Sequence, residues 1–138
     1  MTNHRCGALV FRCMDFRIKP SILSQLLMRV GYSEGSYDLV SVAGACKDLL
    51  SDKSGERDFL IKQIKLSQQL HNIQEVVMLY HDNCGAYGVP DVDQEYKTQA
   101  SDLSKIKSLL ADEFPDLIFS AYIIKGVPAD SLSLEKLI

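Results

Sequence analysis

Two short stretches carry the residue types of a metal centre: Cys13-Met-Asp-Phe-Arg17 and His81-Asp-Asn-Cys-Gly85. Two thiolates and an imidazole suit zinc, so Cys13, His81 and Cys84 fill three corners of a tetrahedron and leave the fourth to water or a carboxylate. In an extended segment the side chains at i, i+2 and i+4 share a face, which lines up Cys13, Asp15 and Arg17 and turns Met14 and Phe16 away. Arg17 can then hold Asp15 by a charge-assisted hydrogen bond, keeping the carboxylate ionised and oriented beside the metal. Placed there, Asp15 accepts the proton of a bound water or takes that water's place. His81 and Cys84, three apart, fold onto one centre in a single turn, with Gly85 relieving the crowding. Two thiolates give zinc more charge than imidazoles do, so water at this centre is less acidic and activity favours alkaline pH.

The other candidate ligands have plainer readings. Cys6 and Cys46 read as small buried hydrophobes, as free cysteines commonly are. His4 with Cys6 makes only a two-ligand pair near a terminus, and His71, at a helix end, reads as a partner of the helix dipole. A thiol enzyme using Cys13 or Cys84 as nucleophile is a further reading, but a thiolate bound to zinc is poorly available for attack.

A chain of 138 residues, 46% hydrophobic, is expected to form one domain over 1–138 with a single filled core. Its formal charge of −3 offers no long-range attraction to nucleic acid or an anionic membrane, which leaves small molecules and protein partners. The start of the chain shows no basic region followed by a long apolar stretch, so no export signal is expected. The apolar run Val76–Tyr80 is far short of the ~20 residues that span a bilayer. A soluble, cytoplasmic protein is the expectation, and four cysteines in that setting read as free thiols or ligands.

The elements that must position the two stretches alternate in type. Ala8 to about Met14 reads as a buried strand. Pro20 opens a helix with Ile22, Leu23, Leu26, Leu27 and Val30 ahead of Gly31, and 37–42 reads as a second strand ending at Ala43-Gly44. A helix follows from Glu56 to about His71, its arc formed by Phe59, Leu60, Ile64, Leu66 and Leu70. Val76–Tyr80 reads as a central strand covered on both faces, with His81–Gly85 at its carboxyl end. A loop over 88–94, a helix carrying Ala100, Leu103, Ile106, Leu110 and Phe114, and a strand over 117–124 complete the pattern. A short tail then packs its leucines on the core or on another subunit. This alternation predicts an α/β fold with a mostly parallel central sheet flanked by helices, in which sites form at the carboxyl ends of strands.

The pair of motifs, Cys-x-Asp-x-Arg followed by His-x-x-Cys-Gly, resembles the hallmark of the β-class carbonic anhydrases in order, spacing and βαβ setting. The similarity runs from about Leu9 to Gly126, with Val42-Ala43-Gly44 where that family has an Asn-Ala-Gly turn. The resemblance implies a zinc-dependent lyase that reversibly hydrates carbon dioxide to bicarbonate by zinc-bound hydroxide. Cys13, His81 and Cys84 would be the Zn2+ ligands, Asp15 and Arg17 the catalytic pair, and the backbone near Gly44 a contact for substrate or Asp15. It also implies a homodimer or a higher homo-oligomer. The chain departs from the family at Phe16, where a small residue such as Ser is common, at Ser41-Val42 in place of Arg-Asn, and in starting almost at the first strand, without an N-terminal helical arm. Two alternatives share the scaffold: hydrolysis of carbonyl sulfide or carbon disulfide, and a catalytically silent zinc-binding regulatory or structural homologue.

Overall fold

The first strand, β1 (Ala8–Cys13), is buried at every position, as a strand with neighbours on both sides and helices on both faces must be. The computed structural model describes residues 4–129 and 131–138. Among these, β1 is followed by α1 (Pro20–Arg29), β2 (Tyr37–Val42), a 3₁₀ turn (Lys47–Leu50), α2 (Ser54–His71), β3 (Glu75–His81), α3 (Val92–Glu113), β4 (Ile118–Lys125) and β5 (Ser133–Lys136). The strands form one sheet in the order β2-β1-β3-β4-β5. The first four are parallel, and β5 runs antiparallel to β4.

Alternation along the strands sends side chains to two separate cores. Leu9 and Phe11 of β1, Val76 and Met78 of β3, and Ala121 and Ile123 of β4 pack with Leu60 and Ile64 of α2 and with Leu103, Ile106 and Leu110 of α3. The intervening residues Ala8, Val10, Val77, Leu79, Tyr122 and Ile124 pack with Leu23, Leu26 and Leu27 of α1. Helix α1 therefore covers one face, and α2 and α3 the other. This follows from handedness: the chain leaves β1 for β2 on one side, then returns past β1 to β3 on the other, and right-handed crossovers in opposite directions lie on opposite faces. A reversal of this kind opens a crevice at the carboxyl ends of the two strands involved. The ladder between β1 and β3 ends at Phe11↔Met78, two residues before Cys13.

The structure extends and corrects the expected elements. Phe59 and Leu70 are exposed, and the inward stripe of α2 is Leu60, Ile64 and Ser67, narrower than its apolar arc. The third helix starts at Val92 rather than after Gln94, capped by Asp91, whose carboxylate accepts the Gln94 amide at 2.8 Å. The tail contributes a fifth strand, and Leu137 and Ile138 pack against the α2–α3 side of the core. Among the described residues no helix is long and apolar enough to cross a membrane.

Helix α3 carries residues that hold the site, so its cap has consequences beyond the helix. Asp91→Ala is expected to lower stability by about 1 kcal/mol, and Asp91→Asn by less, because an amide oxygen still caps. Urea denaturation of the three proteins measures both values, and equal stability for Asp91→Ala and the parent would refute the capping role.

Candidate metal centre

Cys13 is the last residue of β1 and His81 the last of β3, so the two meet across the crevice where those strands part. One donor atom from each of Cys13, His81 and Cys84 lies within 4.8 Å of the others, and all three residues are buried. The structure thus brings together the whole predicted donor set. His81 Nδ1 lies 2.6 Å from the carbonyl oxygen of Asp82. A carbonyl only accepts, so Nδ1 carries the hydrogen of the neutral ring and Nε2 keeps a free lone pair. That Nε2 is buried and has no hydrogen-bond partner among the described residues. A buried nitrogen left in this state normally costs free energy. Its position beside two sulfurs fits a cation such as Zn2+, for which an oriented, lone-pair-bearing imidazole is the required ligand.

The sulfurs are electrostatically unequal. The neighbouring Cys84 thiol is the main cause that brings the Cys13 thiol down to about 4, and His81 and the backbone amide of Gly44 assist against the opposing effect of burial. The Gly44 amide donates to the Cys13 sulfur at 3.4 Å. Proximity to Cys13 and burial push the Cys84 thiol up. Ionisation of one thiol thus opposes that of the other, and Cys13 is the one that its surroundings favour as thiolate. Burial opposes charge on His81, but the adjacent Cys13 sulfur, the Asp82 carbonyl and Asp15 outweigh it and raise the imidazole. Cation binding must displace these protons, so affinity rises with pH.

Asp15 and Arg17 pair as expected, but by a different route. The strand stops at Cys13, and a turn closed by the Ile18 amide on the Asp15 carbonyl at 3.1 Å brings the two side chains together. Arg17 Nε lies 2.9 Å from Asp15 Oδ1, and Nη2 lies 2.6 Å from Oδ2. The Arg17 backbone amide adds a bond of 3.0 Å to Oδ1. These bonds hold the Asp15 carboxyl at about 2, so it is ionised wherever the protein is folded at ordinary pH. Its Oδ2 is 3.8 Å from His81 Nε2, beyond hydrogen-bond reach, and Asp15 falls outside the 4.8 Å donor group. Phe16 is 88% exposed and Met14 is exposed too, so neither fills the crevice, while Val42 packs against the core.

Several supporting residues escaped the sequence reading. The buried guanidinium of Arg12 donates to the carbonyls of Cys13, Asp15 and Ile18 at 2.6, 3.1 and 3.1 Å, binding the turn from beneath. Glu95, 2% exposed, accepts the amides of Asn83 and Cys84 at 2.7 and 2.9 Å. Gln99, one helical turn on, donates to the His81 carbonyl at 2.9 Å. Their signal was present in the sequence: Glu95, Gln99, Leu103, Ile106 and Leu110 recur at intervals of four, four, three and four, which makes two polar residues the continuation of a buried stripe. Gly85 does not relieve crowding, since a Cβ there would meet nothing within 4 Å. The strained residue is Asn83, at φ 54°, whose carbonyl accepts from Arg17 Nη2 at 2.7 Å. Gly44, at φ 72°, is the glycine that matters, because a Cβ there would sit 3.1 Å from Lys47 Cβ and 3.2 Å from Ala86 Cβ. Its amide meets the Cys13 sulfur rather than Asp15.

Glu95→Gln should weaken zinc binding by about 10- to 100-fold, because an amide replaces one acceptor oxygen with a donor facing the loop. Competition against a chromophoric chelator reads the affinity and circular dichroism checks the fold. Unchanged affinity would show that the loop needs no such support.

Comparison with known proteins agrees with this geometry. A family described as "Putative carbonic anhydrase" matches residues 3–116. An uncharacterised protein of Rickettsia conorii is 31% identical over 124 residues, which cover 84% of this chain and 66% of that protein. The chain thus spans just under two thirds of that relative's length. A second uncharacterised protein, from Rickettsia bellii, is 28% identical over 124 residues, covering 84% of this chain and 74% of its own. Among solved structures, β-carbonic anhydrase isoform I of Trichomonas vaginalis superimposes with a TM-score of 0.57 at 17% identity, covering 100% of this chain and 85% of that one. The β-carbonic anhydrase CafA of Aspergillus fumigatus gives 0.52 at 15% identity, with coverage of 98% and 76%. At these identities the structures speak to the fold, whereas the family match extends over most of the chain and includes both motifs: the chain belongs to the carbonic anhydrase family and has the β-class fold.

Proposed function

We propose that the chain is a zinc-dependent lyase that interconverts carbon dioxide and bicarbonate, with Cys13, His81 and Cys84 as ligands and Asp15 and Arg17 as the catalytic pair. The observation that carries this reading is the orphaned Nε2 of His81, in a residue whose donor atom lies within 4.8 Å of two sulfurs and beside the Asp15 carboxylate. Bound there, Zn2+ supplies Lewis acidity that makes water nucleophilic near neutral pH. Asp15 has no proton to give, so its role is to accept a hydrogen bond and aim the nucleophile's remaining lone pair at the substrate carbon. Arg17 fixes both oxygens of that carboxylate and is itself fixed on the Asn83 carbonyl, so the acceptor is oriented before substrate arrives. Phe16, on the surface, and Val42, half-buried against the core, are the departures that favour a silent homologue, and neither side chain is among the groups that hold this arrangement.

A homo-oligomer is part of the same proposal. Strand β2 is an edge of the sheet and carries Leu39, 48% exposed, beside the exposed Leu70 of α2. An unpaired apolar edge is a natural surface for a second copy. Light scattering is expected to give at least twice the 15.4 kDa chain mass, and a monomer at micromolar concentration would refute this part.

Stopped-flow hydration of carbon dioxide by the zinc-loaded protein tests the activity. The rate is expected to rise between about pH 7 and pH 9, because two thiolates leave the water less acidic than imidazoles would. Asp15→Asn should lower kcat/KM by about 10²-fold with zinc content unchanged. Stoichiometric zinc with no hydration across that range would reject the carbon dioxide reading and leave the fold assignment intact.

A further inference from the structure

A second set of metal-binding side chains lies at the opposite end of the sheet. Cys6 precedes β1, Asp38 is the second residue of β2 and His71 is the last residue of α2, and a donor atom from each lies within 4.8 Å of the other two. The sequence offers no hint of this trio, because its members are more than thirty positions apart and only the parallel pairing of β1 with β2 brings their amino ends together. Strand rise alone puts Cys6 roughly 20 Å from Cys13, so the two clusters are independent.

The trio is held in place by its surroundings. The Cys6 amide donates to the His71 carbonyl at 3.1 Å, which fixes the two backbones against each other. Asp38 Oδ2 accepts the Ser67 hydroxyl at 2.6 Å and lies 2.6 Å from His71 Nδ1. His71 therefore does not act merely as a partner of its helix dipole; its Nδ1 faces the Asp38 carboxylate, so the two donor atoms already converge, and a cation bound by both would replace the hydrogen bond between them. Cys6 is half-buried rather than a core residue, and its sulfur donates to the Ala8 carbonyl at 3.6 Å. The three side chains line an open concavity of about 290 Å³ that also includes His4, whose ring centroid is 6.2 Å from that of His71.

We propose that Cys6, Asp38 and His71 form a second site for a borderline divalent cation of the Zn2+ class, at the end of the sheet remote from the carbonic anhydrase centre. One sulfur, one imidazole nitrogen and one carboxylate oxygen are a mixed donor set that zinc accepts and that calcium and magnesium, which demand oxygen, do not. The cation would link the segment before β1, the start of the edge strand β2 and the end of α2, so occupancy would stabilise the folded chain, growing with the logarithm of free metal once the site is filled. Burial and the neighbouring Asp38 charge push the Cys6 thiol up, so binding releases a proton from it.

The test is alkylation of Cys6 in the reduced protein, stripped of metal and then saturated with Zn2+ at about pH 8. Zinc should slow modification of Cys6, followed by mass spectrometry of its peptide, at least tenfold, and a chelator should restore it. Cys6→Ser and His71→Gln should each bind one zinc equivalent fewer than the parent by atomic absorption. Equal alkylation rates with and without zinc, or the same zinc stoichiometry in Cys6→Ser as in the parent, would overturn the proposal. The alkylation arm needs no variant to fold, and because the readout follows Cys6 alone it is unaffected by whether Cys13, His81 and Cys84 bind metal.

Discussion

The carboxylate of Glu95 holds the candidate centre together. It lies inside the protein, and its two oxygens accept the amides of Asn83 and Cys84, the residues that turn the chain back after β3. Two charge-assisted bonds at under 3 Å can support a left-handed Asn83, a conformation worth roughly 1–3 kcal/mol of strain outside glycine. The turn aims the Cys84 sulfur back toward His81 and the Asn83 carbonyl outward to Arg17. Arg17 then fixes Asp15. The geometry of the Asp15–Arg17 pair, in the turn after the first strand, thus depends through Asn83 on a carboxylate on the third helix.

This chain of contacts is possible because of the sheet order. A strand whose neighbours lie on opposite sides in sequence must have its two crossover helices on opposite faces, so β1 and β3 part at their carboxyl ends with no connection bridging the gap. Helix α3 crosses beneath that gap, and the first two turns of its buried face present Glu95 and Gln99 where later turns present Leu103 and Ile106. Core and site share one helix stripe. The hydrophobic contacts of the later turns set the height at which the polar side chains meet the loop, so packing of the core and aim of the ligands are coupled.

The order of strands and helices was legible in the sequence because continuous apolar runs and helical periodicity are local signals. The candidate donor cluster was legible because Cys-x-Asp-x-Arg and His-x-x-Cys-Gly are compact. What was hidden has a common cause, dependence on partners distant in the chain. Asp15 and Arg17 meet through a turn bound by Arg12, whose guanidinium reads as a surface charge until the fold buries it. Phe59 and Leu70 belong to the apolar arc of their helix, yet the sheet covers only the stripe through Leu60 and Ile64. Cys6, Asp38 and His71 are unremarkable where they stand and become a cluster only once β1 and β2 pair.

The same contacts decide whether Asp15 stands beside a metal or binds it. To become a ligand the carboxylate would have to shift away from Arg17, weakening three side-chain bonds and the backbone amide bond that fixes Oδ1. Arg17 cannot follow it, because its Nη2 is anchored on the Asn83 carbonyl and, through that turn, on Glu95. The guanidinium is partly exposed, so water would replace some of what it loses, and the difference between the two positions is moderate rather than prohibitive. Retaining Arg17 therefore biases the site toward a free fourth position, and removing it shifts the balance toward Asp15 as ligand. With a metal in the proposed centre, the arginine would act as a tether that holds the aspartate beside the ligand set as much as it would act as a charge.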